Sequence, residues 1–295
     1  MKRIVYSIYV DVPAAEHFGN SKYTSPNKND SEEKATETIN AFQGHYDRLL
    51  ENKKDYAKKI GAAFKMYTYD DKYKSFEKNI LKFFPELTGY EVINFYKIHI
   101  LCELADVYDE ILYLDFDAVP LTTESFFDAW DLSKGICVLH NNDHIIKKGA
   151  LNFNHSIRSP SAKYYNCQAM LIDGGYHPAN DVINTGIIGA NAEHIKQLDY
   201  FGGFDHIIEL MTALRSDAYA ETGLYPQNIL DMFRYDNETI FSYKLRVNEV
   251  PVQWLDDVWH YFFDKQRFIP AETKIVHAIC KDFDCVWRLE KRLNA

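Results

Sequence analysis

No run of apolar residues in the chain approaches the roughly 18 that a membrane-spanning helix needs, so no membrane span is expected. The start, Met1-Lys2-Arg3-Ile4-Val5-Tyr6-Ser7-Ile8-Tyr9-Val10, is basic, but its apolar stretch is too short for a signal peptide and reads instead as a first β-strand. Cysteine is sparse: Cys102, Cys137, Cys167, Cys280 and Cys285 form no CxxC pair, and five is an odd number. That pattern argues for reduced thiols and against a disulfide framework or a zinc site. With no span and no leader expected, the protein is placed in the cytoplasm. Positive charge is also short, 33 Lys plus Arg against 43 Asp plus Glu, for a formal charge of −10. A general nucleic-acid binder needs a basic face for phosphate contacts, and this balance argues against one. It leaves room for a local basic pocket that takes a single diphosphate. There is no internal repeat, and the only biased stretch is a polar segment from Gly19 to Lys34, expected to be a surface insertion.

What the chain does have is length for one substantial core, 295 residues, and many aromatic side chains, with 21 Tyr and 19 Phe. Its most informative stretch is Glu110-Ile-Leu-Tyr-Leu-Asp115-Phe116-Asp117-Ala-Val-Pro120. A short run of large apolar and aromatic residues suits a buried strand. Buried strands of α/β sheets carry ligands at their carboxyl ends, where the chain leaves the sheet. Two carboxylates at that point form a hard oxygen site suited to Mg²⁺ or Mn²⁺, and such an ion suits a phosphate-bearing ligand. The plainer role for the pair is capping of the next turn. A third possibility is a haloacid-dehalogenase-type phosphatase with Asp115 as nucleophile. In that family the motif sits on the first strand of the domain, whereas here two candidate strands precede it.

The surrounding pattern gives an order of elements. Residues 3–10 read as a strand, 35–60 as a helix carrying Ile39, Phe42, Tyr46, Leu49 and Leu50, and 62–69 as a second strand ending at Asp70-Asp71. An amphipathic helix over 91–105 leads into the Asp-Phe-Asp strand, a β-α-β-α-β order that implies a parallel sheet covered on both faces. Thr122-Thr123-Glu124 signals a helix start, 135–140 a strand, and 141–168, with Lys147, Lys148, Arg158, Lys163, Tyr164 and Tyr165, a long loop or lid. Residues 181–190 suggest a strand pair or strand–turn centred on Asn184. Helices are expected near 192–200, 204–217 and 236–244, and strands over 246–254 and 274–279.

Four segments in order resemble the glycogenin-type family of GT-A-fold glycosyltransferases. They are Lys97-Ile98-His99-Ile100 leading to Asp115-Phe116-Asp117, then Ile183-Asn184-Thr185-Gly186-Ile187-Ile188, then Asp236-Asn237-Glu238-Thr239, then Val276-His277-Ala278-Ile279-Cys280-Lys281. The resemblance implies an α/β fold, a GT-A-like and mostly parallel central sheet flanked by helices. It implies a single domain over residues 1–295, with 1–120 as the nucleotide-binding half and 121–295 as the acceptor-side half. It also implies a glycosyltransferase, a hexosyl- or pentosyltransferase, that moves a sugar from a nucleotide-sugar donor, above all a UDP-sugar, to a glycan or other hydroxyl acceptor. A non-catalytic sugar-nucleotide or glycan binder is the alternative from another class.

Carried over residue by residue, the resemblance makes Asp115, Asp117 and His277 the metal ligands. The cofactor is then Mn²⁺ or Mg²⁺, and the mixed N/O donor set leans toward Mn²⁺. Tyr9, Val10 and Asp11 would line the base, and Lys97, Asp115 and Phe116 would border the same pocket. Asn184 and Gly186 would face the donor sugar, and Lys281 would neutralise the departing diphosphate. Asp236 or Glu238 would be catalytic, either beside the anomeric carbon or as a general base. The same two acids also fit an N-cap and a first-turn carboxylate. His277 alone could be an ordinary end-of-strand histidine, and Lys97 a solvated helix lysine. The family's Gly-x-x-Lys-Pro-Trp tail is replaced by Lys281-Asp282-Phe283-Asp284-Cys285-Val286-Trp287, and its Asp-Gln by Asp236-Asn237-Glu238. Trp254, Trp259 and Tyr261 are candidates for stacking on an acceptor, with at least one of them expected in the core.

Overall fold

A computed structural model of the chain describes residues 1–11, 32–142, 159–214, 235–264 and 268–293. The insertion expected over 19–34 falls almost wholly outside them, as do Lys147, Lys148 and Arg158. Strands β1 (Arg3–Ile8), β2 (Ala63–Tyr67) and β3 (Glu110–Leu114) are joined through helices α1 (Glu32–Lys59), α2 (Asp71–Phe83) and α3 (Gly89–Leu104). Then come β4 (Ala118–Pro120), a short α4 (Phe126–Ala129) and β5 (Ile136–His140), followed by α5 (Ser159–Asp173), β6 (Ile183–Asn191), α6 (Ala192–Leu198) and α7 (Phe204–Leu214). The chain continues with α8 (Asn237–Val247), β7 (Val252–Trp254), β8 (Tyr261–Phe262), β9 (Ile275–His277) and α9 (Phe283–Leu293).

The main sheet has the order β2-β1-β3-β6-β5-β7. β1 pairs in parallel with β2 and β3, β5 pairs in parallel with β7, and β6 is antiparallel to both its neighbours. Five strands therefore run one way and β6 alone runs the other, so the mostly parallel α/β sheet flanked by helices is borne out. Alternation along the strands divides the core. Ile4, Tyr6, Ile8, Ile111 and Tyr113 face one cluster together with Phe95, Ile98, Leu101 and Phe241 from α3 and α8. Val5, Leu112 and Leu114 face another, with Tyr56, Ala57, Phe126 and Trp259. A three-stranded sheet, β4-β9-β8, packs with α1 and α9 through Leu49, Phe116, Val276, Phe283 and Trp287.

Several sequence-based expectations are corrected. Residues 181–190 do not turn at Asn184, because β6 is one continuous strand that spans β3 and β5. Residues 159–168 of the expected lid are helical, since Ala162, Asn166, Cys167, Ala169 and Met170 are buried along one side of α5. The strand expected over 246–254 shrinks to β7. Lys244 and Arg246 still lie in the last turn of α8, and Glu249 leaves it with φ 51 ahead of Pro251, which has no N–H to offer a ladder. Asp70, read as a strand end, caps α2, its carboxylate accepting from the Tyr73 N–H at 2.9 Å. The helix after Thr122 starts only at Phe126, with Ser125 in the cap position. The strand expected over 274–279 is present as β9, whereas α2, β4, β8 and α9 were not foreseen. Among the described residues, no helix is long and apolar enough to cross a membrane.

Candidate active site

The candidate site lies where β1 and β3 end and the reversed β6 begins. β3 leaves the sheet after Leu114, and the Asp115 N–H donates to the Gly186 carbonyl at 2.7 Å. A turn closed by the Ala118 N–H on the Asp115 carbonyl, 2.9 Å, then carries the chain into β4. β4 pairs with β9 so that Ala118 stands opposite His277, and the Ala278 N–H donates to the Asp117 carbonyl at 2.9 Å. This register brings a histidine from near the end of the chain onto the two aspartates.

His277 Nε2 lies 3.4 Å from Asp117 Oδ1 and 3.8 Å from Asp115 Oδ2. One ligand atom from each of Asp115, Asp117 and His277 falls within 4.8 Å of the others. Gly186 makes room for the imidazole, since a Cβ there would sit 2.3 Å from His277 Cε1. Phe262 stacks on the same ring at 5.2 Å between centroids, and His260 Nε2 meets His277 Nδ1 at 3.0 Å. Gly186 thus serves the histidine by close approach.

Three ammonium groups surround the aspartates. Lys281, with φ 58, places Nζ on Asp117 Oδ2, and Lys97 Nζ is 3.7 Å from Asp115 Oδ1. Lys97 is buried in α3 and also donates to the Thr185 carbonyl at 3.5 Å, so it is not a solvated helix lysine. Lys53 of α1, wholly buried, donates to the Phe116 carbonyl at 2.9 Å. Burial pulls its pKa down to about 7, against the opposing pull of Asp117 and Asp115. Burial alone would raise Asp117, but Lys281 and His277 outweigh it and hold the carboxyl below its ordinary range. The Tyr113 hydroxyl donates to Asp115 Oδ1. Lys53, Tyr113 and His260 were missed from the sequence. Tyr113 had a signal, because it lies two residues before Asp115 at strand spacing. A lone lysine in a helix and a lone histidine carry no such signal.

The candidate catalytic acids sit at the start of α8. Asp236 caps that helix, its Oδ1 accepting from the N–H groups of Glu238 at 2.8 Å and Thr239 at 3.0 Å. Glu238 is buried with both oxygens engaged. Oε1 accepts from Asn184 Nδ2 at 3.0 Å, the Thr185 N–H at 2.7 Å and the Thr185 hydroxyl at 3.1 Å, and Oε2 takes Lys163 Nζ. Lys163 also reaches Asp236 at 3.4 Å. Burial would raise the Glu238 pKa, but Lys163 and then Lys97 outweigh it and depress it. Asn184 fastens Glu238 and accepts from the Gly186 N–H at 2.9 Å.

Of the remaining candidates, Tyr9 and Phe116 turn their rings into a cluster with Phe42 and Tyr46. Phe116 therefore borders the site by its backbone. Val10 is buried, and Asp11 is exposed at the end of β1, where it accepts from Gln43 at 3.1 Å. Trp259 is a core residue packed edge-on to Phe126, while Trp254 is 37% exposed and Tyr261 partly so.

Neither a protein-family model nor a curated protein matches the chain. Solved structures do. A glycosyltransferase involved in the glycosylation of the major capsid of PBCV-1 shares 14% identity, with 100% of this chain and 99% of that one covered, at a TM-score of 0.43. Mouse xyloside xylosyltransferase 1 shares 9% identity over 95% and 98%, at 0.42. An active-site mutant of LgtC shares 14% over 94% and 87%, at 0.38. Likenesses this distant carry no argument about substrate or mechanism, which have to come from the site itself.

Proposed function

We propose that the chain is a divalent-cation-dependent glycosyltransferase of the GT-A kind, moving a sugar from a nucleotide-diphosphate sugar, a UDP-sugar foremost, to a hydroxyl acceptor. The observation that carries this is the meeting of Asp115, Asp117 and His277 at the carboxyl end of β3, from positions more than 150 residues apart in the chain. Two carboxylates and an imidazole nitrogen fit such an ion, and the nitrogen suits Mn²⁺ better than Mg²⁺. When bound, the cation supplies Lewis-acid stabilisation of a leaving diphosphate.

The remaining roles follow from the contacts of the chain's own residues. Lys281 and Lys97, both beside the aspartates, are the positive charges that would face phosphate oxygens. In this reading Asp236, with one oxygen in a cap, the other 3.4 Å from Lys163 and its side chain 26% exposed, is the carboxylate that meets the donor sugar. Glu238 has no oxygen to spare for a proton and serves to hold Asn184 and Thr185 in place. The same reading takes residues 1–120 as a nucleotide-binding half and 121–295 as an acceptor-side half, with His277 and Lys281 reaching back to the aspartates.

A panel of nucleotide-sugars with Mn²⁺, read by thermal shift and by slow donor hydrolysis, tests the proposal, with Asp117→Asn as control. A UDP-sugar that raises the wild-type Tm and is hydrolysed only by the wild type supports it. Release of phosphate from a simple phosphomonoester, with no nucleotide-sugar turned over, would select the phosphatase with Asp115 as nucleophile. Tight donor binding with neither hydrolysis nor transfer would make the protein a sugar-nucleotide binder.

A further inference from the structure

We infer that His260 is a positioning residue for the cation site, one that fixes which nitrogen of His277 is presented to the ion. The inference rests on the reading of Asp115, Asp117 and His277 as ligands. His277 faces the aspartates with Nε2 and turns Nδ1 inward, where His260 Nε2 lies 3.0 Å away. Both rings are buried, His260 completely. A bond between two ring nitrogens has one donor and one acceptor. For His277 Nε2 to offer its lone pair to a cation, the ring proton must sit on Nδ1 and needs an acceptor there. His260 Nε2 is that acceptor, and its own proton then lies on Nδ1, which has no hydrogen-bond partner among the described residues.

His260 is held as firmly as the ring it serves. Asp256 Oδ1 accepts from the N–H groups of Val258 at 3.1 Å and Trp259 at 2.9 Å, and its carbonyl accepts from the His260 N–H at 2.9 Å. Trp259 anchors the turn against Phe126, with centroids 5.5 Å apart. The next residue enters β8, whose register sets Tyr261 against Val276 and Phe262 against His277. A flip of the His277 ring would put Cδ2 in the place of Nδ1 and lose the contact with His260. Partners of this kind, behind a metal-bound histidine, fix its tautomer and ring orientation, and their loss costs about 10- to 100-fold in metal affinity.

A histidine that merely filled the core would behave differently on substitution. The test compares wild type, His260→Gln, whose side-chain oxygen can replace the acceptor, His260→Leu, which has none, and Asp117→Asn. Free Mn²⁺ is titrated by electron paramagnetic resonance without nucleotide, and unfolding midpoints are taken in parallel. The expected result is a loss of about 10-fold or more in Mn²⁺ affinity for His260→Leu and near wild-type affinity for His260→Gln. Equal Mn²⁺ binding by wild type and a folded His260→Leu overturns the inference and leaves the cation site standing. Wild-type binding no better than that of Asp117→Asn overturns the cation site and the inference with it. Should His260→Leu not fold, imidazole ¹⁵N shifts of the wild type with Mg²⁺ decide. A proton on His277 Nδ1 supports the role, and a proton on Nε2 refutes it.

Discussion

The missing Cβ of Gly186 would stand 2.3 Å from Cε1 of His277 and 2.6 Å from its Nδ1. Both residues lie in strands whose backbones are tied to the Asp115–Asp117 turn, Gly186 through its carbonyl and His277 through pairing with Ala118. Neither can retreat without disturbing the turn.

Gly186→Ala is therefore expected to destabilise the fold by about 1–3 kcal/mol through overpacking. It should weaken Mn²⁺ binding disproportionately, because the imidazole is what must move. Denaturant midpoints and Mn²⁺ titration check this together, and an alanine variant with wild-type values for both would show that the ring yields freely.

Lys281→Met should have effects of opposite sign on two measurements. The ammonium of Lys281 sits on Asp117 Oδ2, so its removal frees a ligand oxygen and lifts the competition with a cation. Mn²⁺ affinity without nucleotide is expected to rise by about 10-fold or more, the worth of a charge-assisted hydrogen bond. Transfer or donor hydrolysis should fall by about 100-fold, on the scale of one lost donor to developing charge. A parallel fall in both would mean that Lys281 supports the site only structurally.

Glu238→Gln removes a buried carboxylate that pairs with Lys163 and holds Thr185, at a cost on the order of 3 kcal/mol near neutral pH. The folded-state pKa of Glu238 is depressed, so its stabilisation is full above the unfolded value of about 4.3. It drains away as pH falls through that value toward the folded one. The gap between wild type and Glu238→Gln should accordingly shrink between about pH 5 and pH 3. Urea midpoints across that range would contradict this if the gap stayed constant.

Lys53 gives a prediction on the alkaline side. Its folded pKa is lowered to about 7, while an unfolded lysine titrates near 10.4. Between those values the unfolded chain binds the extra proton, so wild-type stability gains with rising pH from this group. Lys53→Met lacks that gain, and the difference in stability, wild type minus variant, should shift toward the wild type between about pH 7 and pH 10. A pH-independent difference would place the charged amine in a better-solvated setting than its burial indicates.

Much of the scaffold could be read from the residues. The apolar run Ile111–Leu114 followed by two aspartates marked β3 and its end, and the spacing of Val92, Phe95, Ile98 and Leu101 marked α3. The direction of β6 could not be read, because Asn184-Thr185-Gly186 looks like a turn until the ring of His277 is seen to occupy the place of the missing Cβ. Nor could burial of Lys53 and Lys97 be read, since a lysine on a helix has the same spacing whether its ammonium meets water or a carbonyl. His260 was invisible for a related reason. Its significance lies in one nitrogen-to-nitrogen contact made by the pairing of β8 with β9, and tertiary register leaves no local trace. Asp236 fitted its capping role.

The reversal of β6 has a consequence for how such a chain can diversify. β5 runs out and β6 runs in at the same rim, with Leu139 opposite Asn184 and His140 opposite Ile183. Asn142 clasps the neck between them, donating to Asp181 at 2.8 Å and accepting from the Val182 N–H at 3.0 Å. The β6 root, at Ile183 and Asn184, lies two to three residues from the Gly186 whose carbonyl accepts from the Asp115 N–H. Part of the stretch between β5 and β6 is α5, whose Lys163 meets Glu238 and Asp236, so a change there reaches the start of α8 as well as the strand ends.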